Sequence, residues 1–231
     1  MKTQAQNILL KIYNSLYNYF GPLNWWPGDT PFEIMVGAIL TQNTSWSNVE
    51  KAINNLKKEN LLEPRKLYRI NQEELAQLIK PSGYYNIKAR RLKNFVNIFV
   101  NDFEGSAEKM FSGDSRELRK KLLKVNGIGP ETADSILLYA GKKPFFVVDA
   151  YTKRIFSRHK LISKDSTYYQ IQEFFFKNLD RNVKLFNEFH AQIVMLGKTI
   201  CTSKNPDCTK CPIAFLFSIS YIVYREENRN R

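Results

Sequence analysis

An all-α fold is predicted by three observations. Apolar residues recur at helical spacing along most of the 231 residues, tight Gly and Pro turns separate those stretches, and the one β-like run, Phe145 to Val148, is too short to require a sheet. Asn7 to Phe20 is amphipathic, with Ile8, Leu9, Ile12, Leu16, Tyr19 and Phe20 as its apolar stripe, and Gly21-Pro22 stops it. Pro31 to Gln42 is strongly apolar and reads as a buried helix. Helical patterns follow at Asn48 to Lys58, Glu73 to Ile79, Asn86 to Val100 and Arg116 to Val125, with turns expected around Pro64, at Pro81-Ser82-Gly83 and near Gly105 and Gly113. Ala150 to Phe156, Tyr168 to Leu179 and Lys184 to Gly197 repeat the same spacing. There is no internal repeat, low-complexity linker or coiled-coil run.

A chain of this length holds one large or two modest domains. No apolar run reaches the length of a membrane span, and Met1 to Leu10 lacks a signal-peptide pattern, so a soluble cytoplasmic protein without membrane contact is expected. Lys and Arg outnumber Asp and Glu by 35 to 22, a net charge of +13 that favours a polyanionic partner through phosphate neutralisation. Charge alone is equally well explained as a solvated basic surface. Three cysteines lie within eleven residues, at 201, 208 and 211, which argues for a metal or cluster site over a disulfide framework.

The densest signal is Leu122-Leu123-Lys124-Val125-Asn126-Gly127-Ile128-Gly129-Pro130-Glu131-Thr132-Ala133-Asp134, followed by Val147-Val148-Asp149. Leu118, Leu122, Leu123 and Val125 form the apolar face of one helix; Ala133, Ile136, Leu137 and Ala140 form that of the next. Asn126 to Gly129 is then a tight interhelical turn. Gly127 and Gly129 can adopt positive φ and leave their N–H groups uncovered, and Pro130 suits a first helical turn. Exposed N–H groups at a helix N-terminus bind phosphate, and a carboxylate just downstream suggests bond cleavage beside a gripped backbone. Asp149 is also placed to cap the helix from Ala150 to Phe156, and the two roles are compatible.

This stretch resembles the helix-hairpin-helix motif of the endonuclease III superfamily of DNA glycosylases, whose catalytic Asp matches Asp149. The resemblance implies a two-lobe fold with the active site in the cleft between lobes: a six-helix lobe over residues 29–140 that includes the hairpin, and a second helical lobe of residues 1–28 plus 141–231 that carries Asp149 and the Cys-rich loop. It also implies backbone binding by Asn126, Gly127, Ile128, Gly129 and Thr132. Two places beyond the second hairpin glycine, bifunctional members carry a lysine that attacks the sugar and forms an imine leading to strand cleavage. Here that position is Glu131, which cannot form an imine, and substitution by Lys124 or Lys142 from another direction is not expected. A monofunctional enzyme without lyase activity follows, in which Asp149 orients water or stabilises the developing sugar cation.

Trp25-Trp26-Pro27, Leu40-Thr41-Gln42-Asn43-Thr44 with Trp46, Pro81-Ser82-Gly83-Tyr84-Tyr85-Asn86-Ile87-Lys88-Ala89-Arg90-Arg91-Leu92 and the hairpin with Glu131 together resemble the 3-methyladenine DNA glycosylase III branch. On that pattern Trp25, Trp26, Pro27 and Trp46 build the base pocket, Trp26 and Trp46 sandwich the flipped base, and Gln42 fills the hole left in the duplex. An alkylated purine is cationic, which favours indole faces and makes it a good leaving group. Tryptophans beside a turn are also common core anchors, and Gln42 is also readable as a polar residue at a helix C-terminus. Lys88, Arg90 and Arg91 read as a solvated or phosphate-facing patch, and His159 and His190 as structural histidines.

Cys201, Cys208 and Cys211 match the first three ligands of the endonuclease III iron–sulfur loop, Cys-x6-Cys-x2-Cys-x5-Cys, but the fourth falls on Phe217. A [4Fe–4S] cluster would need solvent or a group such as Ser218 there, or the loop is a clusterless relic; a zinc site is the weaker option. Lys198, Lys204 and Lys210 suit phosphate contacts in either case. The expected function is release of damaged, alkylated purines from double-stranded DNA by a monomer. The alternatives are an endonuclease III-like or mismatch glycosylase acting on damaged or deaminated pyrimidines, and a non-catalytic helix-hairpin-helix DNA-binding module. Asp149 argues against the module, since a carboxylate repels phosphate.

Overall fold

The computed structural model of the protein describes residues 3–217. Ser218 lies outside them. Among the described residues the regular structure is entirely helical, and the contacts divide the chain into two compact units.

One unit takes the described residues of Met1–Trp25 and Phe146–Arg231. Helix α1 (Gln4–Phe20) opens with Thr3 accepting from the Gln6 N–H while the Gln6 side chain accepts from the Thr3 N–H, a reciprocal cap. It packs Leu9, Ile12 and Leu16 inward against α12 (Val183–Thr199), which in turn packs on α10 (Ala150–Arg158). Helix α11 (Tyr168–Asn178) starts with the same kind of cap, made by Thr167 and Gln170. The core is aromatic: Phe146 stacks on Phe175 with centroids 3.7 Å apart, and Phe186 and Phe189 meet Phe146 edge-on.

The other unit is Trp26–Phe145. Its centre is α2 (Pro31–Leu40), which begins at the Thr30 cap with Pro31 in its first turn and is buried on all sides apart from Pro31. Around it lie α3 (Trp46–Lys58), α4 (Pro64–Arg69), α5 (Gln72–Leu78), a 3-10 turn at Lys80–Ser82, α6 (Tyr85–Phe103), α7 (Ala107–Ser112), α8 (Ser115–Leu123) and α9 (Pro130–Ser135), which continues as a π-helical turn, Ile136–Ala140. Helices α4 and α7 replace the turns expected around Pro64 and between Gly105 and Gly113. In each case a side-chain cap, Glu63 or Ser106, starts a helix too short to show a period in sequence.

Two buried charged side chains help to pin this unit. Glu33, 6% exposed, pairs with Lys57 at 2.7 Å. Lys88 is a correction to the sequence reading: it is 1% exposed, and its ammonium donates to the carbonyls of Leu40 (2.8 Å) and Ser82 (2.6 Å). The phase of α6 turns Lys88 inward while Arg90 stays in solvent.

Candidate active site

The hairpin is built from the ends of α8 and α9. Asp114 caps α8 by accepting from the N–H groups of Arg116 and Glu117, and the helix ends at Lys124. Val125 and Ile128 drop into the core, and the Ile128 N–H donates to the Val125 carbonyl at 3.0 Å. Ile128 therefore gives the hairpin packing, while Asn126, Gly129 and Glu131 stay exposed. Gly127 has φ +97°, whereas Gly129 has φ −87°, so only the first glycine uses the left-handed region expected for both. Gly129 caps α9, with Pro130 in its first turn. The two helices are clamped behind the turn by Arg119, which donates from Nε and Nη2 to both oxygens of the fully buried Asp134, at 2.6 and 2.9 Å.

A cavity of about 680 Å³ runs along the hairpin, lined by Gln42, Arg91, Lys124, Asn126 and Glu131 among others. Gln42, in the turn after α2, lies docked there. Its Nε2 donates to the Gly127 carbonyl (3.0 Å) and Thr132 Oγ1 (2.9 Å), and its Oε1 accepts from Arg91 Nη1 (2.5 Å). Thr132 is thus buried and occupied by Gln42, and Arg91 contacts a side chain rather than standing in a solvated patch. Tyr84, just before α6, is 69% exposed at φ 47°, an uncommon backbone state for a non-glycine residue.

Trp26 and Trp46 come together in this unit, both half-buried. Their rings meet edge to face, with centroids 5.1 Å apart and an interplanar angle of 85°. A base between them needs parallel faces about 7 Å apart, twice a van der Waals contact, so the expected sandwich is not the arrangement found. Tyr139 lies against Trp26 at 4.9 Å and 40°, and Trp26 Nε1 and Trp46 Cη2 lie 3.3 and 3.4 Å from where a Cβ on Gly37 would stand. Tyr139 was invisible to helical spacing because the π-helical turn shifts the phase of the chain by a residue. Pro27 is exposed, and Trp25, which belongs to the other unit, is half-buried.

In that other unit, Asp149 caps α10. Its Oδ1 accepts from the N–H (2.7 Å) and hydroxyl (2.8 Å) of Thr152. Its Oδ2 faces His190 Nε2 of α12 at 3.6 Å, and the Asp149 side chain is 11% exposed. Burial opposes the charged form, but His190 and the two Thr152 donors more than offset it and hold the carboxyl below its usual value. His190 is therefore a partner of Asp149, not a merely structural histidine. Nothing in the sequence signals a contact made across 41 residues by a cap and a helix interior.

The three cysteines differ: Cys201 is buried, Cys208 exposed and Cys211 half-buried. With Arg158, His159 and Phe217 they line a cavity of about 30 Å³, room for one or two waters and not for an eight-atom cluster. Phe217 is 50% exposed with its ring 4.9 Å from that of His159, and Arg158 donates to Cys201 Sγ at 3.3 Å. Among the described residues no group of three or more His, Cys, Asp or Glu side chains is disposed to hold a metal ion. The residues present do not fit a four-thiolate [4Fe–4S] site. The loop is held by arginines of α10 instead: Arg154 donates to the carbonyls of Gly197 and Cys201, and Arg158 to those of Thr202 and Ser203. Lys198, Lys204 and Lys210 are exposed, with Lys210 paired to Asp207 at 3.0 Å.

A helical fold with a glycine hairpin, a capped carboxylate and an aromatic cluster defines a class of DNA repair proteins. Residues 36–181 match the HhH-GPD superfamily of base excision DNA repair proteins, and the chain belongs to that family. It is 49% identical to a Methanocaldococcus jannaschii protein, named only provisionally as a DNA repair glycosylase, over 92% of this chain and 97% of that one. It is 33% identical to the endonuclease III of Thermotoga maritima over 78% of this chain and 79% of that protein. Among solved structures it is similar to H. pylori 3-methyladenine DNA glycosylase (MagIII) bound to 1,N6-ethenoadenine, with 32% identity, a TM-score of 0.73, and coverage of 85% of this chain and 98% of that one. The protein is a DNA repair glycosylase of the HhH-GPD type.

Proposed function

We propose that the protein hydrolyses the N-glycosidic bond of alkylated purines in duplex DNA and leaves the strand intact. The observation that carries this reading is Glu131, an exposed carboxylate in the first turn of α9 at the position where lyase members of the superfamily carry their amine. Asp149 is ionised at neutral pH, with one oxygen occupied by Thr152, and acts on the sugar as positive charge develops there. A cationic base is already a good leaving group, so no general acid is required. Its stacking partner is a single indole face of the edge-to-face Trp26–Trp46 pair, with Tyr139 behind Trp26. The hairpin, through Asn126, Gly127 and Gly129, seats the backbone; Gln42 and the exposed Tyr84 serve the opened duplex. The similarity to the H. pylori glycosylase supports the purine substrate.

The test is release of the free base from duplexes that each carry one lesion: 3-methyladenine, hypoxanthine, uracil or thymine glycol. Fastest release of 3-methyladenine, with strands that break only after alkali, is the expected result. A covalent complex trapped by borohydride would refute the hydrolytic reading, and preferential action on uracil or thymine glycol would move the protein to the pyrimidine-specific members.

A further inference from the structure

We propose that Arg91 is a positioning residue that acts through Gln42, holding its amide on the hairpin so that filling the opened duplex and seating the backbone are coupled. This rests on the reading of Gln42 as the side chain that fills the gap. Arg91 Nη1 donates to Gln42 Oε1, and this fixes which way the amide points: Oε1 to the guanidinium, Nε2 to the Gly127 carbonyl and Thr132 Oγ1. The flipped amide would set donor against donor at Arg91 and acceptor against acceptor at Gly127. The stem of Arg91 is equally committed. A Cβ on Gly127 would fall inside it, 2.9 Å from Arg91 Cβ and closer still to Cγ, so the glycine is required for Arg91 to pass beneath the turn as well as for its positive φ.

A second tie leaves the same face of α6 one turn on, where Asn94 Nδ2 donates to the Asn126 carbonyl at 3.1 Å. Arg91 and Asn94 thus hold both sides of the hairpin tip, and Arg91 alone extends that hold to the turn after α2. When Gln42 turns into the duplex its Nε2 gives up the Gly127 and Thr132 acceptors while its Oε1 stays on the Arg91 guanidinium, which sets the direction of entry. Entry is then favoured where a phosphate seated on the hairpin accepts from the freed Thr132 hydroxyl, while the Gly127 carbonyl is left to water.

The experiment compares wild type, Arg91→Met, Gln42→Ala and the double variant. Arg91→Met keeps the apolar stem under Gly127 and removes the guanidinium. Each protein is given dimethyl sulfate-treated DNA as duplex and as single strand, and 3-methyladenine release is followed in single turnover. The ratio of duplex to single-strand rate should fall about tenfold in Arg91→Met and in Gln42→Ala, and no further in the double variant. Multiplied losses in the double variant, or equal losses on both DNA forms, would overturn the proposal by showing that Arg91 acts independently of Gln42. Unaltered thermal melting of Arg91→Met separates a lost position from a lost fold, and Arg91→Lys serves as the second variant if it melts early. Wild-type protein that ignores alkylpurines but releases another base fails the substrate reading alone, and the same ratio measured on that base still decides the role of Arg91.

Discussion

Asp149 spends one oxygen on its own helix and turns the other toward His190. A carboxyl held below its ordinary value contributes stability that is present above the unfolded value, near 3.9, and is lost as pH falls through the folded value. On the proposed mechanism, base release by the ionised form has the same acidic limit. In His190→Gln, the acid limb of the single-turnover rate should therefore move up toward the ordinary aspartate range while the rate at neutral pH changes little. An unmoved limb would leave Thr152 as the sole cause of the shift. Lys88 presents the opposite sign. Burial lowers its ammonium to about 8, so between pH 8 and its unfolded value the folded state binds fewer protons, and stability from this group rises with pH. Urea unfolding should show the wild type gaining up to about 3 kcal/mol on Lys88→Met between pH 7 and pH 10. A constant difference would mean that Lys88 stays charged throughout.

At the scale of elements, the hairpin depends on an ion pair between the two helices that flank it. Arg119 joins α8 to α9 through both oxygens of a carboxylate with no exposure, and removing one partner leaves the other charge buried. Asp134→Ala should cost about 3–5 kcal/mol in urea unfolding, well beyond Asp134→Asn, which keeps an acceptor for the guanidinium. Similar losses in both variants would assign the clamp to charge rather than geometry. The hairpin itself was legible in sequence because Gly, Pro and apolar spacing are local signals: Gly127, Pro130 and the buried Val125 and Ile128 all act within one turn of chain. What escaped is long-range. Lys88 and Arg91 looked like one charged patch with Arg90, yet helix phase sends the first into the core and the second to Gln42. Tyr139 was hidden by a π-helical turn, and the angle between Trp26 and Trp46 depends on packing over Gly37 that no spacing records.

On the whole molecule, the surplus of 35 basic over 22 acidic residues sets how the protein finds DNA before any lesion is read. Affinity for undamaged duplex should fall with salt along a log–log line whose slope is about −0.9 per phosphate neutralised. Lys124 is exposed and lines the hairpin groove, so Lys124→Gln should reduce the magnitude of that slope by about one. Asp149→Asn should behave differently. Its carboxylate is mostly buried and tied to Thr152 and His190, so it adds little to the outer field, and the variant should keep the slope while losing base release. Fluorescence anisotropy of one labelled duplex between 50 and 300 mM salt separates the two. A slope unchanged in Lys124→Gln would remove the hairpin groove from the proposed backbone contacts, and a slope changed in Asp149→Asn would mean that the carboxylate contributes to the field at the DNA surface.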